Sequence, residues 1–201
     1  MESGRLKYAL LGDVHSSKED LEAVLLDITA KSAEAIRIGT GDLFECTISK
    51  KDITNNKFTN LEEVMLIPKG FSALLTFVSV RGNQEERILM ITETEDPFRE
   101  KINGMPEVIE VGGAQIIHGH QWKWGGDPWQ LIQADVNRSP VFYGHSHESE
   151  LSLNGTRITP DFGVVYDVSG EDVLVNVGAV VKDREWVLYD LEANTVTFMK
   201  V

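Results

Sequence analysis

The sequence predicts an α/β fold whose helices concentrate in the first two-thirds and whose antiparallel strands fill the last third. Near the N-terminus an apolar run, an amphipathic stretch and a second apolar run follow one another as strand, helix and strand, the unit that pairs its strands in parallel. From Glu150 onward the chain changes character and reads as a hairpin followed by four more strands.

Lys7–Leu11 (KYALL) is short, apolar and followed by Gly12-Asp13, as a buried strand is. Over Ser16–Lys31, the residues Leu21, Val24, Leu25 and Ile28 lie three and four apart, the spacing of a helix face; Ser16 or Ser17 can cap it, with acidic residues in the first turn. Ala35–Ile38 is the second strand, ending at Gly39. Asp42 to Gly70 is the least legible segment: KKDITNNKF is polar loop, and Leu61–Leu66 reads as a short helix halted before Pro68. Ala73–Val80 reads as a third strand running into the turn Gly82-Asn83. Glu85–Met90 and Pro97–Ile102 read as helices, Glu107–Val111 and Ala114–His118 as strands around Gly112-Gly113, and Val141–Tyr143 as a buried strand. Asp127–Val136 reads as a helix with Pro128 in its first turn. In the last third, Asn154-Gly155 marks a hairpin turn, and strands are expected over Val164–Val168, Val173–Val177, Trp186–Asp190 and Thr195–Val201.

No repeat, low-complexity tract or linker interrupts the 201 residues. One domain takes roughly 100–200 residues, so residues 1–201 are expected to form a single domain with one shared core. A composition of 42% hydrophobic and 25% charged residues rules out long-range disorder and a disulfide scaffold. The lone cysteine, Cys46, permits no intrachain disulfide and suits a reducing compartment. The run Tyr8–Leu11 is too short for a signal-peptide core, and no window approaches the ~20 apolar residues of a membrane span, so the cytoplasm is the expected location. Nineteen basic against 32 acidic residues leave a net charge of −13. Such a surface repels polyphosphate backbones, which disfavours generic nucleic-acid or anionic-membrane binding. A phosphate substrate would need a local source of positive charge, and a metal is the obvious one.

All five histidines lie beside predicted strand ends, at 15, 118, 120, 145 and 147. Two pairs have His-x-His spacing and the fifth stands in Asp13-x-His15. Residues two apart in extended chain point to the same side, so each pair can offer two ligands to one place. The C-terminal ends of strands in an α/β sheet converge on one edge, where ligands bind. Asp42 and Asn83 sit at equivalent places after predicted strands. Oxygen and imidazole donors together suit manganese, iron or zinc better than calcium or a thiolate site.

In order, Gly12-Asp13-Val14-His15, Gly41-Asp42, Gly82-Asn83, His118-Gly119-His120 and Gly144-His145-Ser146-His147 resemble the motifs of the calcineurin-like metallophosphoesterases, most closely the small single-domain bacterial and archaeal phosphodiesterases. The resemblance implies a four-layer αββα sandwich of two mixed sheets flanked by helices, and a dinuclear metal centre on the sheet edge. One metal would take Asp13, His15 and His147; the other Asn83, His118 and His145. Asp42 would bridge them, because a bridging ligand must be anionic with two oxygens, and would hold the hydroxide nucleophile. Manganese is the first choice of metal, with iron, zinc, nickel or magnesium as alternatives. The implied activity is hydrolysis of a small-molecule or nucleotide-type phosphoester, a phosphodiesterase first, with a phosphomonoesterase or dinucleoside-polyphosphate hydrolase as alternatives. A scaffold without catalysis, as one eukaryotic retromer subunit of this fold is, would lack several of these ligands. The oligomeric state is open, a homodimer included.

Where many family members carry Gly-Asn-His, this chain reads Gly82-Asn83-Gln84. Glutamine donates hydrogen bonds but delivers no proton at neutral pH. His120 remains, either as the leaving-group acid or as a residue orienting His118; the third alternative is that no side-chain acid exists and substrates with stable leaving groups are preferred. Asn176-Val177-Gly178-Ala179 replaces the more usual Asn-Pro-Gly-Ser and is expected to pack a turn near the metal edge. Trp122, Trp124 and Trp129 either stack on a base or aryl group or bury themselves against the domain. Cys46, one thiol near two hard metals, is expected to pack.

Overall fold

The computed structural model describes residues 6–54, 57–125, 130–133 and 139–201. The chain opens as expected, with β1 (Lys7–Leu11), α1 (Lys18–Lys31) and β2 (Ile36–Gly39). Helix α1 buries Leu21, Val24 and Ile28, the three-and-four spacing read from the sequence. Ser17 occupies its N-cap position, but its hydroxyl donates to Asp20 at 2.6 Å rather than accepting from the backbone.

The segment that sequence reading leaves least defined forms a small ribbon. β3 (Glu45–Cys46) pairs antiparallel with β4 (Met65–Leu66). The helix expected over Leu61–Leu66 is only a 3-10 turn at Leu61–Glu63, capped by Asn60, whose side chain accepts from Glu62 N–H at 3.0 Å. The strand expected over Ala73–Val80 is also corrected. Phe71–Ala73 is a 3-10 turn, and only β5 (Val78–Ser79) pairs with β2. Phe71 and Leu75 are buried in the helix-side core, so the apolar run fills the interior from a turn, a case periodicity cannot separate from a buried strand.

Helices α2 (Asn83–Ile91) and α3 (Pro97–Asn103) follow, then β6 (Ile109–Val111) and β7 (Ala114–Ile116) around Gly112-Gly113. β8 (Lys123–Gly125) and β9 (Gln130–Gln133) form a second ribbon. Four residues of the helix expected over Asp127–Val136 are therefore strand, and its remaining positions, with Trp129, lie outside the described residues. β10 (Val141–Tyr143) matches its expectation. β11 (Ser149–Leu153) and β12 (Thr156–Ile158) close the expected hairpin, with Asn154 and Gly155 both left-handed, at φ 50° and 76°. β13 (Val165–Asp167), β14 (Val173–Val177), β15 (Glu185–Asp190) and β16 (Thr195–Lys200) complete the chain.

The strands form two six-stranded mixed sheets, ordered β13-β16-β15-β1-β2-β5 and β12-β11-β14-β10-β7-β6. With three helices flanking them, this is the α/β arrangement expected of an αββα sandwich. Each sheet has three parallel strands in its interior or toward one edge, β1-β2-β5 in one and β7-β10-β14 in the other, with antiparallel strands alongside. β14 thus departs from the purely antiparallel last third that the sequence suggests. Alternation along β1 shows how the layers meet. Tyr8 and Leu10 join Val80, Phe142, Val175 and Phe198 between the sheets, whereas Ala9 and Leu11 face Leu21, Ile28, Ile88 and Ile102 of the helices. On the outer face of the second sheet, Trp122 and Trp124 pack on Ile117, Val141 and Tyr143. No helix among the described residues is long and apolar enough to cross a membrane.

Candidate metal centre

The seven ligand candidates read from the sequence lie just beyond the C-terminal ends of parallel strands. Asp13 and His15 follow β1, Asp42 follows β2, and Asn83 follows β5; His118 follows β7, and His145 and His147 follow β10. The two sheets thus deliver ligand-type side chains from opposite sides to one rim.

Backbone geometry there is unusual. Asp13, His15, Asp42, His145 and His147 have φ of 51°, 47°, 50°, 74° and 66°. Non-glycine residues in this left-handed region cost on the order of 1–3 kcal/mol each and persist where surrounding contacts impose them. Those contacts are visible. The N–H groups of Asp13, Val14 and His15 donate to the carbonyls of Gly41 and Asp42, locking the β1 and β2 loops together. Gly82 and Gly144 are dictated by closeness, since a Cβ on either would fall 2.2 Å from a carboxylate oxygen of Asp42 or Asp13 respectively.

The side chains form two clusters, Asp13-His15-His147 and Asp42-His118-His145, in each of which one donor atom per residue lies within 4.8 Å of the others. In the first, Asp13 Oδ1 stands 3.3 Å from His147 Nε2 and 3.9 Å from His15 Nε2. In the second, Asp42 Oδ2 is 3.3 Å from His118 Nε2, and Asn83 Oδ1 is 3.1 Å from the same nitrogen. Asp42 Oδ2 also lies 3.8 Å from His15 Nε2, so one carboxylate oxygen faces both clusters. Its other oxygen accepts from Gln84 N–H at 2.8 Å, which fixes the rotamer.

The imidazoles are held by their far nitrogens. His118 Nδ1 donates to the Thr40 carbonyl at 2.8 Å, and His15 Nδ1 stands 2.5 Å from Glu45 Oε2, which turns both Nε2 atoms toward the carboxylates. The His145-Ser146-His147 loop is tied from β14. Asn176 Nδ2 donates to Ser146 Oγ at 2.6 Å, and Asn176 Oδ1 accepts from Gly178 N–H at 3.3 Å. Buried Glu85 accepts from the N–H groups of Asp42, Phe44 and Gly82 at 3.0, 3.0 and 2.8 Å, bracing the β2 loop against the start of α2.

These residues fit a cation. Asp13 Oδ1 is buried and receives no hydrogen bond, a costly state for a carboxylate oxygen unless positive charge sits beside it. The electrostatic balance of the rim says the same. Burial lowers His15, but Asp13, Glu45 and Asp42 outweigh it and push the imidazole up to about 10. Burial likewise lowers His118, and Asp42, Asp13 and the Thr40 carbonyl push it up to about 9. Asp13 is raised by burial, yet His147, His15 and His118 hold it well below the carboxylate range. His145 goes the other way, pushed down to about 4 by burial and the charge on His118. Burial and then Asp42 push Glu85 up to about 7. The rim attracts positive charge, the donors are oxygen and imidazole, and no thiolate takes part. Cys46 is buried, with its thiol 3.6 Å from the Ile48 carbonyl.

His120 lies beside this set. Its ring centroid is 5.3 Å from that of His118, and its Nε2 is 3.1 Å from Glu86. Gln84 turns its side chain to β3, where its oxygen accepts from Cys46 N–H at 3.3 Å. Trp124 donates to the Gly119 carbonyl at 2.7 Å and has its ring 5.6 Å from that of His145; Trp122 meets Tyr143 edge-on. No local signal in the sequence marks Glu45, Thr40 or Glu86. Glu85 reads from the sequence as the first residue of a helix; the helix starts at Asn83, and a carboxylate at its third position is too commonplace to mark a brace.

Across residues 6–192 the chain matches the family described as the calcineurin-like phosphoesterase superfamily domain. No curated protein matches it. Among solved structures it is similar to a metallophosphoesterase from Sphaerobacter thermophilus, at 19% identity and a TM-score of 0.67, covering 98% of this chain and 89% of that one. It is also similar to a putative diadenosine tetraphosphatase, at 12% identity and a TM-score of 0.52, covering 100% and 96%. At these identities the likeness is one of fold.

Proposed function

The chain belongs to the calcineurin-like phosphoesterase superfamily, and from that premise we propose that it is a dinuclear metal-dependent phosphodiesterase acting on a small or nucleotide-type phosphoester. The observation that carries this reading is the position of Asp42, whose Oδ2 lies between two carboxylate–imidazole clusters. We assign Asp13, His15 and His147 to one cation, Asn83, His118 and His145 to the other, and Asp42 to both. Two divalent cations held there, manganese in our reading, would supply Lewis acidity to a phosphoryl group and a nucleophile at neutral pH.

The chain's own residues do the rest. Thr40 and Glu45 hold the ligating imidazoles in one orientation, Gln84 N–H and Glu85 hold Asp42, and Asn176 holds the histidine loop. His120 lines the same cleft as Asn83 and His145, and we assign it to the leaving-group side. Gln84 faces β3 and brings no proton donor to the rim, which supports diesters or anhydrides with stable leaving groups over simple monoesters. Residues 1–201 serve as one catalytic domain in this reading, and the location we infer is cytoplasmic.

The test is hydrolysis of bis(p-nitrophenyl) phosphate and of p-nitrophenyl phosphate by metal-free protein reconstituted with Mn²⁺. Manganese-dependent turnover that favours the diester is expected. Activity that survives exhaustive chelation refutes the metal assignment, and a preference for the monoester refutes the diesterase reading.

A further inference from the structure

Beside the second cluster lies a cleft of about 420 Å³ lined by Asn83 and His145 together with Lys50, Glu86, Arg87 and His120. Two of its side chains are cations, on a chain with 32 acidic and 19 basic residues. Arg81, Arg99, Arg157 and Arg184 each stand within ion-pair distance of a carboxylate. Among the described residues Arg37, Arg87 and Lys50 do not, and Arg37 donates instead to the Thr29 hydroxyl at 2.8 Å. Arg87 makes a long 3.4 Å contact from Nη1 to the Ile48 carbonyl and lies within reach of the Cys46 thiol, neither of them an anion at neutral pH, and its Nε is buried with no acceptor. A buried guanidinium nitrogen left without a partner is costly. Glu86, the carboxylate in the cleft, is engaged by His120 at 3.1 Å. One wall of the metal rim therefore presents two cations against the single carboxylate of Glu86, on a protein of net charge −13.

Resting on the phosphoesterase reading, we propose that Arg87 and Lys50 form an anion subsite that binds a second phosphate of the substrate, next to the phosphoryl group that would sit at the cation assigned to Asn83, His118 and His145. Arg87 supplies a planar fork of donors, the geometry that recognises phosphate oxygens, and Lys50 a mobile point charge at the mouth. The favoured substrates are then compounds with at least two phosphates, such as nucleotide-type anhydrides, over plain diesters. The subsite also gives a polyanion a place to dock where the rest of the surface repels it.

Calorimetry with two non-hydrolysable probes, methylenediphosphonate and methylphosphonate, tests this on Mn²⁺-loaded protein. Wild type is expected to bind the diphosphonate more tightly. Arg87→Met, which keeps the aliphatic stem, should lose about 10–100-fold in diphosphonate affinity, the range for a charge-assisted pair, and at least tenfold more than it loses for methylphosphonate. Lys50→Met is exposed, leaves the core untouched and should show the same selectivity more weakly, so a folding defect in the first variant does not decide the outcome. Equal losses for both probes, no loss for either, or a wild type that binds the two probes alike would overturn the proposal. If no phosphoester is hydrolysed but the Arg87-dependent preference persists, the phosphoesterase reading fails and the anion subsite stands.

Discussion

Glu45 stands outside both clusters, and its Oε2 lies 2.5 Å from His15 Nδ1, which leaves Nε2 turned toward Asp13 and Asp42. Glu45→Gln preserves length and one acceptor oxygen while removing the charge. A hydrogen bond to a charged group contributes about 1.5–3 kcal/mol net. The Glu45 side chain is 40% exposed, so solvent screening favours the lower end. About 1.5 kcal/mol is roughly tenfold in affinity, the bottom of the ~10–100-fold range for carboxylates that hold metal-binding imidazoles. The loss is confined to one site, because among the described residues Glu45 hydrogen-bonds His15 and no member of the Asp42-His118-His145 cluster. Titrating Mn²⁺ into metal-free protein by calorimetry should resolve two sites, of which Glu45→Gln weakens one about tenfold while the other keeps its affinity. Equal weakening of both sites, or of neither, refutes the orienting role.

Asp42→Asn keeps the acceptor for Gln84 N–H but removes the anion shared by both clusters. It should cut diester kcat by at least about 100-fold, a loss of roughly 2.7 kcal/mol in transition-state stabilisation, while circular dichroism shows an intact fold; wild-type turnover would refute the bridging role. His15 and His118, pushed up to about 10 and about 9, carry protons at pH 7.5 in metal-free protein. Metal binding should therefore release about two protons, read by calorimetry in buffers of different ionisation enthalpy, and affinity should rise with pH toward 9–10; binding without proton release contradicts this. The same raised values mean that stability from these imidazoles is full below the ordinary histidine pKa of about 6.5 and lost as pH climbs through 9–10 in the metal-free form, visible as a falling Tm. Asn176→Ala removes two hydrogen bonds at a buried position and strands the Gly178 N–H. A cost of about 2–3 kcal/mol lowers Tm by roughly 4–12 °C, and Asn176→Asp, which keeps the acceptor for Gly178, should lose less; equal losses would show that the Ser146 contact dominates.

Much of the rim was legible before any coordinates, because its residues belong to short local motifs. A glycine permits close approach, and a carboxylate, amide or imidazole follows the end of a strand, as at Gly82-Asn83 and Gly144-His145. β1, α1, β10 and the Asn154-Gly155 hairpin were legible for a similar reason, since their patterns are complete within a few residues. The segments misread, Ala73–Val80 and Asp127–Val136, are those whose structure is set by partners elsewhere in the chain, as far as the described residues go. Phe71 and Leu75 fill the helix-side core from a turn, and Lys123–Gly125 recruits Gln130–Gln133 as a strand.

The sequence by itself determined the chemistry on offer: seven oxygen and imidazole donors at strand ends, a missing histidine at Gln84, and a charge of −13 that calls for a local cation. Only the tertiary structure decided how those donors are held. Glu45 reaches His15 because β3 pairs with a strand twenty residues on, Thr40 meets His118 across 78 positions, and Asn176 grips the histidine loop from β14. Such contacts leave no local pattern, because a hydrogen bond depends on where two atoms meet in space and two distant stretches of chain encode that meeting only through the packing between them.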